Sequence, residues 1–326
     1  MTICFTLCSN NYLAQAKTLG DSYLEFHPDS KFIIGLVDRL DKDFDYSVLK
    51  NFEVIPAETL QIPNFDELVN KYNIMELNTA VKPSYFRYLF ETYKAEKVIF
   101  LDPDILVTRY FAEVIDALNT KNIVLTPQIL YPVDDGFTLN DYQLLRDGIF
   151  NLGFIGLSDY PSVNDFLNFW HERLMKYGFG NSKSGMFYDQ LWVNYVPALF
   201  DNYAIIKHPG YNMANWNMHE RHLSKDENHK FFVHDKNPLC FFHFSGYKIN
   251  NPEVISSYSN RYDFITRPDV KELFQLYRSQ LLANNVEEIR KLPVYYFPPV
   301  AALTILQKII SRIKRAFNVL ILGYDR

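Results

Sequence analysis

The chain has 326 residues, of which 48% are hydrophobic and 22% charged, a globular composition that excludes wholesale disorder and allows one large α/β domain with an appendage, or two domains. Lys plus Arg total 33 against 38 Asp plus Glu, a formal net charge of −5, so no global positive field exists to hold nucleic acid. Cys4, Cys8 and Cys240 cannot close a disulfide set and form no CxxC pair, which argues against a zinc site and for a reducing compartment.

The opening run Ile3–Leu7 reads as a buried strand, and it follows Met1 without a basic stretch, apolar core and cleavage site. A cytoplasmic protein is the expectation. A helix is predicted over Tyr12–Phe26, then strands at Phe32–Val37 and Phe52–Ile55, a helix near Phe65–Tyr72, and a longer one from about Asn78, as N-cap, to Tyr93. Val98–Leu101 is a short apolar strand running into Asp102. Strands separated by helices predict a mostly parallel sheet with helices on both faces, and ligands bind such sheets outside the carboxyl ends of the strands. Farther on, Ile123–Leu125, Phe154–Leu157 and Leu239–Phe244 read as strands, and Ser162–Tyr177 and Phe187–Val196 as helices. Leu292–Pro299 reads as an extended linker. Beyond it Leu306, Ile309, Ile310, Ile313, Phe317 and Leu320 recur at helical spacing between Lys308, Arg312, Lys314 and Arg315, an amphipathic basic helix over 301–320. Three docking partners fit that helix: an anionic membrane surface on the inner face of the plasma membrane, the body of the chain, or another protomer in a homo-oligomer.

Four stretches are candidates to carry chemistry. Asp102 and Asp104, two residues apart after an apolar strand, project to one side of an extended chain and can share a divalent cation through hard oxygens; the alternative is an acidic turn, the reading given to Asp41, Asp43 and Asp45. His243, in the aromatic run Phe241–Phe244, is a core histidine or a metal ligand. Ser245, Gly246 and Lys248 follow it, offering close backbone approach and a compact positive charge to an anion. Asn151 in Asn-Leu-Gly, with Asp189 and Gln190, supplies the mixed donors and acceptors that sugar hydroxyls need, or simply caps and turns. In the stretch Pro209–Arg221, Trp216 is a candidate platform for a sugar face, with Asn215 and Asn217 as hydroxyl partners.

Taken in order, Asn10-Asn11-Tyr12, Arg87 on a helix, Leu-Asp-Pro-Asp, Asn-x-Gly, Asp-Gln and His-Phe-Ser-Gly resemble the GT-A glycosyltransferases. The likeness is greatest to the group of glycogenin and the bacterial lipopolysaccharide galactosyltransferases, and extends to sugar transferases of bacterial surface-polysaccharide clusters. It covers about residues 1–260. The resemblance implies a nucleotide-sugar-binding catalytic domain over 1–260, a C-terminal helical extension over 261–326, and Mn²⁺ or Mg²⁺ held by Asp102, Asp104 and His243. It further implies that Leu7, Asn11, Tyr12, Arg87, Asp102, Asn151, Gly246 and Lys248 bind the donor, and that Asp189 and Gln190 flank the transferred sugar as catalytic residues. Trp216, Asn217 and His219 fall on the acceptor side. The implied activity is metal-dependent, retaining transfer of a hexosyl group from a UDP-sugar to a glycan or lipid-linked acceptor. Two departures stand out: one residue, Tyr247, separates Gly246 from Lys248 where the family has two, and Cys8 and Ser9 occupy the region of the family's uracil-facing acid. A sugar nucleotidyltransferase lacks its glycine-rich phosphate loop here, and a non-catalytic sugar-binding module would use the acidic pair for structural Ca²⁺.

Overall fold

The computed structural model describes residues 1–296; the basic helix expected over 301–320 lies outside the described residues. Among the described residues, thirteen strands form three sheets. In chain order they are β1 (Thr2–Cys8), β2 (Lys31–Leu36), β3 (Glu53–Pro56), β4 (Lys97–Leu101), β5 (Ile105–Val107), β6 (Ile123–Leu125), β7 (Phe154–Ser158), β8 (Tyr203–Ile205), β9 (Met213–Ala214), β10 (Leu223–Lys225), β11 (Phe231–Val233), β12 (Asn237–Pro238) and β13 (Phe241–His243). The main sheet runs β3-β2-β1-β4-β7-β6-β8. Its pairs are parallel except where β7 runs antiparallel to β4 and β6. A small sheet, β5-β13-β9, stands beside it, and β10-β11-β12 form a third.

The apolar runs of the central strands face two ways, as the two-residue period requires. Ile3, Phe5, Leu7, Val98 and Phe100 pack toward the helices Lys82–Tyr93 and Tyr160–Tyr177. Cys4, Cys8, Ile99 and Leu101 pack toward the helix Leu13–Phe26 and the small sheet. Both faces are covered, so continuous hydrophobic runs rather than alternating ones mark these strands. Phe5 meets Phe86 edge-on with ring centroids 4.9 Å apart and Phe100 at 5.1 Å. The helix Lys271–Ala283, within the expected extension, buries Leu273, Phe274, Tyr277 and Leu281 in the same core as β1 and β13. Phe244 stacks on Tyr277 at 3.9 Å, so this helix backs the segment that carries His243.

Two expectations about helices change. The long helix predicted from Asn78 is two helices, Ile74–Ala80 and Lys82–Tyr93. The cap is Asn73, whose side chain accepts from the amides of Met75 and Glu76 while Glu76 returns a bond to the Asn73 amide; Asn78 lies inside the helix, donating to Ile74 O at 2.7 Å. The helix expected over Phe187–Val196 is two short ones, Gln190–Val193 and Val196–Leu199. Asp41, read as a solvated turn residue, is buried, accepting from the Asp43 amide and the Tyr295 hydroxyl.

Asn73→Ala removes the side-chain half of this capping box and is expected to destabilise the fold by about 1 kcal/mol. Urea unfolding of the variant checks this, and an unchanged midpoint contradicts it.

Candidate metal and donor site

The acidic pair forms the turn between two sheets. β4 belongs to the main sheet and β5 to the small one, and Asp102, Pro103 and Asp104 join them. The Asp102 amide donates to Gly153 O at 2.9 Å, carrying the β4–β7 ladder one step on. On the other side the Phe244 amide donates to Asp104 O at 2.8 Å, carrying on the pairing that sets His243 opposite Ile105. Backbone bonds therefore bring an imidazole to two carboxylates more than a hundred residues away in sequence. His243 Nε2 stands 3.0 Å from Asp104 Oδ1 and 3.7 Å from Asp102 Oδ2, and one ligand atom from each residue lies within 4.8 Å of the others. Two hard carboxylate oxygens and one imidazole nitrogen are a donor set that suits Mn²⁺ or Mg²⁺.

The electrostatics of the cluster follow from its position, with His243 buried and the two aspartates half-buried. Burial pushes the Asp102 carboxyl up to about 6, against the pull of Lys82 and His243. For Asp104 burial also acts upward, but the charge and hydrogen bond of His243 outweigh it and hold the group below the usual carboxylate range. Burial would lower His243, yet the two aspartates outweigh it and raise the imidazole. An entering cation would compete with the proton shared among these groups.

His243 is fixed from two sides. Trp216 meets it edge-on, with centroids 5.3 Å apart at 84°. Gly153 lies under the ring: a Cβ there would stand 2.5 Å from Cε1 and 2.6 Å from Nδ1. The glycine of Asn-Leu-Gly is thus required by the histidine of a distant motif. The same turn is held by Gln190, whose Oε1 accepts from the Leu152 amide at 3.1 Å and from Asn151 Nδ2 at 3.3 Å, while Nε2 donates to Asp147 O at 3.0 Å. Asn151 Oδ1 accepts from the Gly153 amide and from Asn212 Nδ2. Asp189 is buried and ion-paired with Lys82 at 2.5 Å.

Several expected site residues take other places. Trp216, 4% exposed, is no open platform for a sugar; its indole packs against the His243 imidazole. Asn217 is fully buried, accepting from the Ala214 amide and donating to Gln128 O and Asn212 O, so it shapes the loop from within. His219 Nε2 lies 2.8 Å from Tyr131 O. Arg87 donates to Asn168 on the neighbouring helix at 2.7 Å rather than joining the acidic cluster. Gly246, at φ +78°, serves a backbone turn, and a Cβ there would meet Ser256 Oγ at 2.5 Å and the Tyr258 ring at 2.8 Å. Leu7 is buried at the end of β1, while Asn11 is half-buried and Tyr12 37% exposed beside it. Tyr12 and Tyr258 are both close enough to Asp104 for its charge to raise their hydroxyls, an effect second to burial. Lys248 is exposed, and its charge pulls Asp104 down. Sequence reasoning missed Lys82 and Asn212. A signal existed for Lys82: it shares a helical stripe with Phe86 and Leu89, where a surface lysine does not belong.

No family model matches the chain. It is similar to the uncharacterized protein YfnF of Bacillus subtilis (strain 168), 25% identical over 279 residues that cover 85% of this chain and 90% of the relative. A second protein of that organism, YfnD, is 26% identical over 106 residues, 32% of this chain and 33% of the relative. Among solved structures it is similar to the galactosyltransferase LgtC in complex with donor and acceptor sugar analogs, with a TM-score of 0.51 and 16% identity, covering 87% of this chain and 96% of the other. The fold is that of the GT-A glycosyltransferases.

Mn²⁺ affinity is expected to rise as pH climbs through about 6, because the ion must displace protons from Asp102 and His243. Calorimetric titrations from about pH 5 to about pH 7.5 test this, and a flat profile contradicts it. Gly153→Ala is expected to displace the imidazole and weaken Mn²⁺ binding by about 10- to 100-fold while the protein stays folded; the same titration reads the effect, and wild-type affinity refutes it.

Proposed function

We propose that this chain is a metal-dependent glycosyltransferase that moves a hexosyl group, with retention of anomeric configuration, from a nucleotide-diphosphate sugar to a glycan or lipid-linked acceptor in surface-polysaccharide synthesis. A UDP-sugar is the preferred donor. One observation carries the reading: two aspartates and a histidine from separate sheets converge at the carboxyl end of β4, where an α/β sheet binds its ligand, in a chain with the GT-A fold.

In this reading Asp102, Asp104 and His243 hold Mn²⁺ or Mg²⁺, which supplies Lewis-acid stabilisation of the charge that develops on the diphosphate leaving group, worth several kcal/mol. The residues around it bind and orient. Tyr12, exposed beside the end of β1, offers its ring to the base, with Asn11 and the backbone of Leu7 alongside. Lys248, exposed and with its charge felt at Asp104, supplies positive charge to the phosphates. Asn151 and Asp189 face the transferred sugar as hydrogen-bonding groups. Gln190, with both ends of its amide bonded to the backbone and to Asn151, fixes the floor on which those two stand. With retention, the acceptor approaches from the leaving-group side, and in this reading Asp189 and Gln190 lie on the opposite side of the sugar.

Asp104→Ala is expected to abolish Mn²⁺-dependent release of UDP from UDP-hexoses while leaving the near-ultraviolet circular dichroism unchanged. In the wild type, calorimetry is expected to show UDP binding that depends on Mn²⁺. Full turnover by the variant, or UDP binding indifferent to the ion, contradicts the reading.

A further inference from the structure

Lys82 is a buried charge outside the metal cluster. It opens the helix Lys82–Tyr93, and its side chain is 2% exposed. An ammonium so far from water is expensive unless it is paired and fully hydrogen-bonded. A carboxylate oxygen, a carbonyl oxygen and a ring face surround it. Nζ stands 2.5 Å from Asp189 Oδ2, 3.0 Å from Leu152 O and 3.9 Å from the centroid of the Phe100 ring.

These three partners belong to the three segments that build the site. Phe100 lies in β4, two residues before Asp102. Leu152 is the centre of the Asn-Leu-Gly turn that seats His243. Asp189 precedes Gln190, which holds that turn from the other side. Burial pushes the Asp189 carboxyl up, and the Lys82 charge is foremost among the forces opposing it. Arg87, farther along the same helix, is engaged with Asn168. Tyr188, just before Asp189, sits in the left-handed region at φ +49°, a conformation that persists only where its surroundings enforce it.

We propose that Lys82, rather than Arg87, is the cation of the donor pocket, a positioning residue that clamps the Asp189 carboxylate as a fixed acceptor for a hydroxyl of the transferred sugar. The proposal rests on the nucleotide-sugar reading of the site. Lys82 does not touch the donor; it acts through Asp189 and through the Leu152 carbonyl. Its removal is therefore expected to affect the reacting sugar more than the nucleotide.

Steady-state kinetics test this, using the UDP- or GDP-hexose that the wild type turns over with Mn²⁺. Lys82→Met and Asp189→Asn are each expected to lower kcat by about 100-fold, the usual effect of a misplaced reacting group, with the affinity for UDP plus Mn²⁺ within about threefold of wild type. Because both act at one place, the double variant Lys82→Met/Asp189→Asn is expected to match Asp189→Asn within about threefold. Near-normal kcat in Lys82→Met overturns the proposal. So does a further loss of about tenfold or more in the double variant. If Lys82→Met alone fails to fold, because it leaves a carboxylate buried without its partner, the double variant set against Asp189→Asn decides between the same two outcomes. Wild type inactive on every UDP- and GDP-hexose overturns the function and this proposal together. Active wild type and inactive Asp104→Ala, with Lys82→Met unaffected, overturns this proposal alone.

Discussion

Two backbone hydrogen bonds, Asp102 N to Gly153 O and Phe244 N to Asp104 O, set the geometry on which the rest of the site depends. Each extends a strand pairing by one residue, the first in the main sheet and the second in the small sheet. The turn Asp102–Asp104 is pinned at both ends by ladders that its own sequence does not encode. His243 arrives opposite it because β13 pairs with β5 in one register. A slip of one residue would turn the imidazole to the other face of the small sheet. The aromatic packing behind β13, with Phe244 on Tyr277 and Phe242 on Phe274, opposes that slip by burying each ring against the helix Lys271–Ala283.

A cluster of this charge is costly to bury, and the surrounding structure shows how the cost is met. Asp104 and His243 share a hydrogen bond, while Lys82 balances Asp189. Asp102 is left less compensated than Asp104, and burial raises its affinity for a proton. Removing water from carboxylates raises their affinity for protons and makes a divalent ion a more effective replacement for them. The same burial that penalises the unbound cluster therefore favours a cation within it. Gly153 and Trp216 keep the imidazole in place for that exchange.

Much of the fold is legible in the sequence. Ile3–Leu7 and Val98–Leu101 read as buried strands because both of their faces are covered, which leaves an uninterrupted apolar run. The Asp-x-Asp after Val98–Leu101 stands apart from Asp41, Asp43 and Asp45 for the same reason. Long-range packing is not legible. Trp216 and Asn217 look like sugar contacts because aromatic and amide side chains in a polar loop have that chemistry, but nothing local reports that the loop folds inward against His243. Arg87 and Lys82 lie on one helix, and nothing local reports that Lys82 pairs with the buried Asp189 while Arg87 pairs with Asn168. The break at Val81 is hidden because the segments on either side both have helical periodicity, and the capping box at Asn73 and Glu76 is masked by the plausible cap at Asn78.

Anomalous diffraction from crystals soaked in MnCl₂ and UDP tests the central claim most directly. One manganese peak is expected, bonded to carboxylate oxygens of Asp102 and Asp104 and to His243 Nε2, with the diphosphate completing the coordination. A peak elsewhere, or diphosphate bound with no ion between it and these three side chains, would contradict it.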